Sequence, residues 1–499
     1  MANSVLVRTT TGTVAGFRGN NVNVWRSIPY ALPPVGPLRL RSPRPHPGWD
    51  GVRDCTQFGF CAPQNPKGTV LGLVKRQAMA EDCLTLNVVS PHQADGELPV
   101  LFFIHGGGPI GTSATPLYNG AALARQGCVF VSVNYRIGAL GALDLSPLSS
   151  PEISFDSNLY LRDLVMALKW VRDNVASFGG DPAKVTIMGE SAGGHAVVAL
   201  MAVPTAKGLF ARAIAQSPFL GMIRTAETSR RLAERFGSLL GQQTDGIANA
   251  LARADPHDLV AALEQLTAEV LAHNPGDMSM IGATIDGDFL PSDPFDAIKQ
   301  GQAHQVPFIV GHTADEATVF NRFVKVLPTT ASAIERALAE VDPAQRRAIY
   351  RSYPNYPDAA ACVLLCGDMC FGTAAWRLAE AHARHAPTFL YRYDFAPRAL
   401  RWLGLHATHG SDLLPLFDTY RTRIGAALTV LGHRRPAQRV SDAMQSRWLA
   451  FSQAGCPGPD WPPYNDVEHP VFILDAHSHV EFDPHHKRRK AWEGFRIRR

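Results

Sequence analysis

The 499-residue sequence contains no apolar run long enough to cross a bilayer. Its most apolar segments, Leu98 to Ile104 and Ala196 to Val203, fall far short of the roughly 20 residues required. No transmembrane span is expected. The start, Met1-Ala-Asn-Ser-Val-Leu-Val-Arg, lacks the basic segment and apolar stretch of a secretory leader, so a cytoplasmic setting is expected. Charge of one sign is scarce as well. The formal net charge is +4 and the basic residues are scattered, which excludes an electrostatic grip on nucleic acid. The run His485-His486-Lys487-Arg488-Arg489-Lys490 is read as a solvated tail. Eight cysteines in so long a chain do not form a disulfide scaffold. Cys362, Cys366 and Cys370 are spaced as one helical stripe of small core residues rather than metal ligands. No metal constellation or dinucleotide fingerprint is present, so no cofactor is expected.

What is present is an ordinary globular composition, 46% hydrophobic and 18% charged, able to bury a large core. The first third reads as strands and turns, with a proline- and glycine-rich stretch from Pro29 to Gly51 assigned to edge strands and surface loops. Strand-length apolar runs follow at Thr85 to Val89, Val100 to Ile104, Val129 to Asn134, Lys184 to Met188 and Pro307 to Val310. They alternate with helical patterns, which predicts an α/β fold with a largely parallel sheet buried on both faces. Leu161, Leu164, Val165, Leu168, Val171 and Val175 repeat at helical spacing, and Gly179-Gly180 stops that helix. Helical patterns from about Thr225 to Leu271 and from Thr330 to Ala386 predict a roof over the sheet, with cap regions near 225–300 and 320–400. Without repeats or linkers, residues 1–499 read as one catalytic domain.

Gly189-Glu190-Ser191-Ala192-Gly193 lies between a strand and an apolar helix, the context of a nucleophile elbow. A sharp turn there holds the serine in a strained conformation, and side chains two residues to either side would collide. Charge developing on a substrate carbonyl needs backbone donors. His105-Gly106-Gly107-Gly108 ends a strand and supplies them, so Gly107, Gly108 and Ala192 are candidate oxyanion-hole donors. A serine also needs a base and an acid to orient it. Asp315 or Glu316 follows the strand at 307–310 and either could be the acid; His406 or His409 could be the base.

These residues stand among ordered markers: Ile28-Pro-Tyr-Ala-Leu-Pro-Pro-Val-Gly-Pro-Leu-Arg39, Trp49-Asp-Gly-Val, Glu81-Asp-Cys-Leu-Thr-Leu-Asn87, Asn134-Tyr-Arg136, Phe178-Gly-Gly-Asp-Pro182, Gln216-Ser217 and Trp461-Pro-Pro-Tyr464. Over nearly its whole length the chain resembles the type-B carboxylesterases, the cholinesterase-like branch of the α/β-hydrolases, and among them the bacterial para-nitrobenzyl-type esterases. The resemblance implies a serine carboxylic-ester hydrolase with Ser191 as nucleophile, Glu316 as acid and His409 as base. It also implies Ser217 supporting the acid, Glu190 as a further supporting residue, and an acyl-enzyme formed from small to medium uncharged esters, aryl esters included. Its partner is then a small-molecule ester, and no oligomeric state is specified. A non-catalytic scaffold relative and an interfacial lipase are the competing readings.

Cys61 and Cys83 hold the positions of a possible disulfide that closes a loop in secreted relatives. Thr69 to Val74 within that loop is amphipathic enough for a mobile flap. No aromatic residue lies between these cysteines, which argues against choline-ester specificity. Pro109-Ile110 replaces the family's usual aromatic after the glycines and is expected to alter the pocket wall. Ser157 to Leu164 departs from the usual GNxGLxDQ and is read as local repacking.

Overall fold

A computed structural model describes residues 4–65, 77–93, 97–108, 118–241, 246–430 and 432–495. The strands are β1 (Ser4–Thr9), β2 (Gly12–Gly19), β3 (Val22–Pro29), β4 (Val52–Asp54), β5 (Thr85–Pro91), β6 (Leu98–Ile104), β7 (Val129–Val133), β8 (Gly180–Glu190), β9 (Arg212–Gln216), β10 (Ile223–Thr225), β11 (Ala283–Ile285), β12 (Phe308–Thr313), β13 (Thr388–Tyr393), β14 (Pro470–Leu474) and β15 (His479–Phe482). Thirteen form one sheet in the order β1-β2-β3-β5-β7-β6-β8-β9-β12-β13-β14-β15, with β4 beside β2, while β10 and β11 form a separate parallel pair. From β7 to β14 every pairing is parallel, and antiparallel strands flank that run on both sides.

The apolar runs explain the central sheet. On β6, Val100, Phe102 and Ile104 point into one core and Leu101 and Phe103 into the other, all five nearly inaccessible to solvent. Period-two alternation places successive side chains on opposite faces, so a continuously apolar strand requires cover on both. Helix α1 (Leu159–Asn174) buries Leu161, Leu164, Val165, Leu168 and Val171 on one side. The other side is covered by the long helix Arg434–Ala454, which buries Met444, Trp448 and Phe451. Helix α1 gives way after Asn174 to a 3₁₀ turn, Val175–Phe178, and Gly179 then reverses the chain at φ 88°. β8 starts directly afterwards and is longer than the expected 184–188.

Helix α2 (Ala192–Met201) follows β8, and the first roof block consists of α3 (Ala226–Leu239), α4 (Ile247–Arg253) and α5 (Pro256–His273). The second consists of α6 (Ala331–Ala337), α7 (Pro343–Arg351) and α8 (Ala359–His382), a helix interrupted by a π-helical turn at Asp368–Gly372. Residues 388–393, inside the span assigned to a cap, are the fully buried β13. Contrary to the expectation from the sequence, helix α8 is long and apolar enough to cross a bilayer, but 78% of its apolar window is buried inside the protein. Its Cys362, Cys366 and Cys370 lie in the core.

Two expectations need correction. No disulfide joins Cys61 and Cys83: both are thiols, Cys61 Sγ faces the Ala78 carbonyl at 3.6 Å, and burial pushes the Cys83 thiol far up. The basic run at 485–490 is not a solvated tail. Residues His486–Ala491 form a helix in which Arg488 donates to Asp368 Oδ2 at 2.8 Å and Arg489 pairs with Asp483. The expected flap at 69–74 and the Pro109-Ile110 substitution lie outside the described residues.

Within the segment at 157–164, two positions that keep the GNxGLxDQ residues, Asn158 and Asp163, hold specific partners. Asn158, left-handed at φ 53°, exchanges hydrogen bonds with the backbone of Thr284 at 2.8 Å each way. Asp163 receives Arg136 in a fully buried bidentate pair at 2.6 and 2.8 Å.

Candidate active site

Ser191 sits at the end of β8 with φ 60° and ψ −120°, a backbone conformation that costs a non-glycine residue energy and persists only when its surroundings enforce it. The neighbouring glycines do so. A Cβ on Gly193 would come within 2.1 Å of the Ile104 carbonyl oxygen, one on Gly189 within 2.5 Å of the Gly193 carbonyl, and one on Gly106 within 2.5 Å of the Glu190 carbonyl and 3.0 Å of Ser191 Cβ. Ser191 N–H donates to the Gln216 carbonyl at 2.9 Å, and its own carbonyl accepts the first bond of α2 from His195.

Gly107 and Gly108 have φ 114° and 47°, the region where glycine is favoured. Their N–H groups and that of Ala192, the first residue of α2, donate to no backbone carbonyl among the described residues. The loop is anchored from below: the Tyr135 hydroxyl donates to the His105 carbonyl at 2.6 Å, and the two rings stack at 4.4 Å. Burial lowers His105 to about 4, so it is neutral there.

Glu316 lies just beyond β12, 2% exposed, and its Oε2 is 2.5 Å from His409 Nδ1. Its Oε1 accepts from the Ser217 hydroxyl at 2.6 Å and from Thr313 N–H at 2.7 Å. Burial works to raise this carboxyl, but the His409 charge and the hydrogen bonds from His409 and Ser217 bring it below its ordinary value. Asp315 instead binds the backbone N–H of Ala407 at 3.3 Å, and His406 is exposed. Geometry thus joins Glu316 to His409 and leaves Asp315 and His406 outside the pair.

Glu190 points back across the site, with Oε1 3.2 Å from His409 Nε2. Neither atom has a hydrogen-bond partner, and none forms between Ser191 Oγ and the imidazole among the described residues. Burial opposes charge on His409, but Glu190 and Glu316 outweigh it and raise the imidazole to about 9. Burial likewise raises Glu190, to about 8. The Glu316 carboxylate, joined by Glu190 where that group is ionised, therefore favours the charged form of the ring.

Several neighbours were not singled out in the sequence. Asp412, wholly buried three residues after His409, accepts from Gln216 Nε2 and the Tyr391 hydroxyl at 2.8 Å each. Phe371 and Phe320 bring their rings to 4.4 and 5.1 Å from the His409 ring, both from π-helical turns, Asp368–Gly372 and Phe320–Val324. Such bulges are frequent at functional sites, and an aromatic beside the base was the signal available. A cavity of about 510 Å³ borders Glu316, Asp315, Arg322, Lys325 and His406, and neither Ser191 nor His409 lines it.

The arrangement can hold an imidazole against a carboxylate beside a strained serine and a loop of glycine N–H groups. The model of the carboxylesterase family matches residues 3–492. The chain is 33% identical over 495 residues to the para-nitrobenzyl esterase of Bacillus subtilis (strain 168), covering 97% of this chain and 98% of that one. It is also 33% identical over 486 residues to the phenmedipham hydrolase of Pseudarthrobacter oxydans, covering 94% of each. Among solved structures, a PNB esterase superposes with a TM-score of 0.85 at 32% identity, covering 97% of this chain and 99% of the other. A Geobacillus stearothermophilus carboxylesterase gives 0.83 at 32%, covering 98% and 99%. The protein is a member of the carboxylesterase family.

Proposed function

We propose that Ser191, His409 and Glu316 carry out the hydrolysis of small to medium uncharged carboxylic esters, aryl esters among them, through an acyl-enzyme. The contact between Glu316 and His409, set beside the strained turn of Ser191, carries this reading. Serine alone is a weak nucleophile, and an imidazole whose Nδ1 proton is held by a carboxylate presents Nε2 as base. His409 takes the Ser191 proton, the serine oxygen bonds to the ester carbonyl carbon, and the N–H groups of Gly107, Gly108 and Ala192 receive the developing oxyanion. His409 then protonates the leaving alcohol, and water repeats the sequence to release the acid.

Glu316 and Glu190 stabilise the imidazolium during both steps, and Ser217 keeps Glu316 oriented. The relatives that match over the full length, one named for para-nitrobenzyl esters, support a substrate range that includes esters bearing aromatic rings. Ser191→Ala tests the reading. Turnover of a p-nitrophenyl acyl ester should fall by several powers of ten, on the order of 10⁴-fold or more, with the melting temperature nearly unchanged. Retained activity would place the nucleophile elsewhere.

A further inference from the structure

The net charge of this protein is concentrated in one stretch. Residues 396–440 contain seven arginines and two aspartates, a surplus of five, against +4 for the whole chain. One of those aspartates, Asp412, is wholly buried, so the outer surface of the stretch is more basic still. It comprises α9 (Arg398–Trp402), α10 (Arg423–Thr429) and the start of α11 (Arg434–Ala454), which pack on one another in sequence. Arg398 and Arg401 both lie close enough to His433, at the head of α11, to oppose its protonation alongside burial. Among Arg401, Arg421, Arg423, Arg434 and Arg435, only Arg421 makes ion pairs among the described residues, with Asp418 and Asp442.

The same face exposes apolar side chains. Of eleven large hydrophobic residues exposed among the described residues, five are Trp402 (75%), Val430 (74%), Phe323 (63%), Leu403 and Ile424. Phe323 belongs to this group because the guanidinium of its neighbour Arg322 reaches to 3.3 Å from the Cβ position of Gly404, two residues beyond Trp402. The remaining six are distributed over other elements. Exposed apolar side chains gathered on neighbouring elements and interspersed with charge mark an interaction site.

We propose that this face docks on an anionic lipid bilayer. Exposed Trp, Phe, Leu, Ile and Val gain by entering the boundary between headgroups and acyl chains, where tryptophan is at home. The arginines supply the attraction to anionic headgroups and can keep their guanidinium groups at headgroup level. A nucleic acid would answer the charge and leave the apolar side chains in water. A second copy of the chain would bring the same arginines against themselves. Helix α9 leads directly into the loop that carries His409, so docking here brings the site to a surface in which apolar esters dissolve.

The experiment is cosedimentation of the full chain with vesicles of phosphatidylcholine alone or with about 30 mol% phosphatidylglycerol. The protein should sediment with the anionic vesicles only, and less as salt rises to about 0.5 M. Arg423→Glu with Arg434→Glu should weaken partitioning by about 30-fold or more. Trp402→Ser should weaken it several-fold, since a buried aromatic is lost. Both variants should keep the wild-type melting temperature and turnover of water-soluble p-nitrophenyl acetate. Absence of vesicle binding, or binding that these substitutions leave unchanged, overturns the proposal. A wild-type dimer that Trp402→Ser dissolves, with no lipid binding, overturns it in favour of a second copy.

Discussion

The two halves of the site are held by different kinds of force. On one side, β6, β8 and their turns set Ser191 and the glycine loop through backbone sterics: Gly106, Gly189 and Gly193 allow main chains to approach where a single methyl would not fit. On the other, His409 is held by side chains drawn from distant parts of the chain, Glu190, Glu316 and the rings of Phe320 and Phe371. A steric site fails when it is filled, whereas an electrostatic site is graded and depends on protonation.

Within the electrostatic half, the largest effect on turnover should come from Glu316. Glu316→Gln preserves shape but removes the charge that orients the imidazole and stabilises its cation, so kcat for a p-nitrophenyl ester should fall by roughly 10³- to 10⁴-fold. The steric half should respond in stability instead. Gly193→Ala drives a methyl onto the Ile104 carbonyl and should cost about 3 kcal/mol, read as a lower midpoint in urea unfolding and activity lost with the fold. If Gly193→Ala keeps its stability and loses only kcat, the division between the halves is wrong.

Ser217→Ala removes one of two donors to Glu316 Oε1 and leaves Thr313 N–H in place, so a loss of about tenfold in kcat is expected, with KM little changed. Glu190→Gln should act mainly on pH dependence. The negative charge of Glu190 raises His409, so removing it lowers the imidazole pKa. Because the base must be neutral, the acid limb of kcat/KM should then move to lower pH, as measured by a pH-rate profile. A limb that stays in place would mean that Glu190 does not reach the imidazole electrostatically.

The same division governs what could be read from the residues alone. The parallel centre of the sheet and the collision around Ser191 are local, since apolar runs and glycine spacing depend on neighbours in sequence. The choice of Glu316 over Asp315 and of His409 over His406 has no local signal and rests on the resemblance; in the fold it is Glu316 that meets His409, while Asp315 binds the Ala407 backbone. Phe320 and Phe371 carry no signal in the sequence because only folding brings them to the imidazole. The three-residue strands β10 and β11 are too short to show a period. The run at 485–490 misled because six polar residues look solvated until a buried carboxylate, Asp368, is placed opposite one of them.

That last contact ties the helix His486–Ala491 to the setting of the base. Asp368 opens the π-helical turn that presses Phe371 onto the base, and its partner Arg488 is made 120 residues later. Trp492, later still, donates to Tyr353, whose hydroxyl also binds Asp368. A nascent chain halted before residue 485 would carry Ser191, Glu316 and His409 and still leave a buried carboxylate short of its cation, a defect worth about 3–5 kcal/mol. Truncation before residue 485 should therefore loosen the turn that seats Phe371 against His409, read as a lower midpoint in urea unfolding.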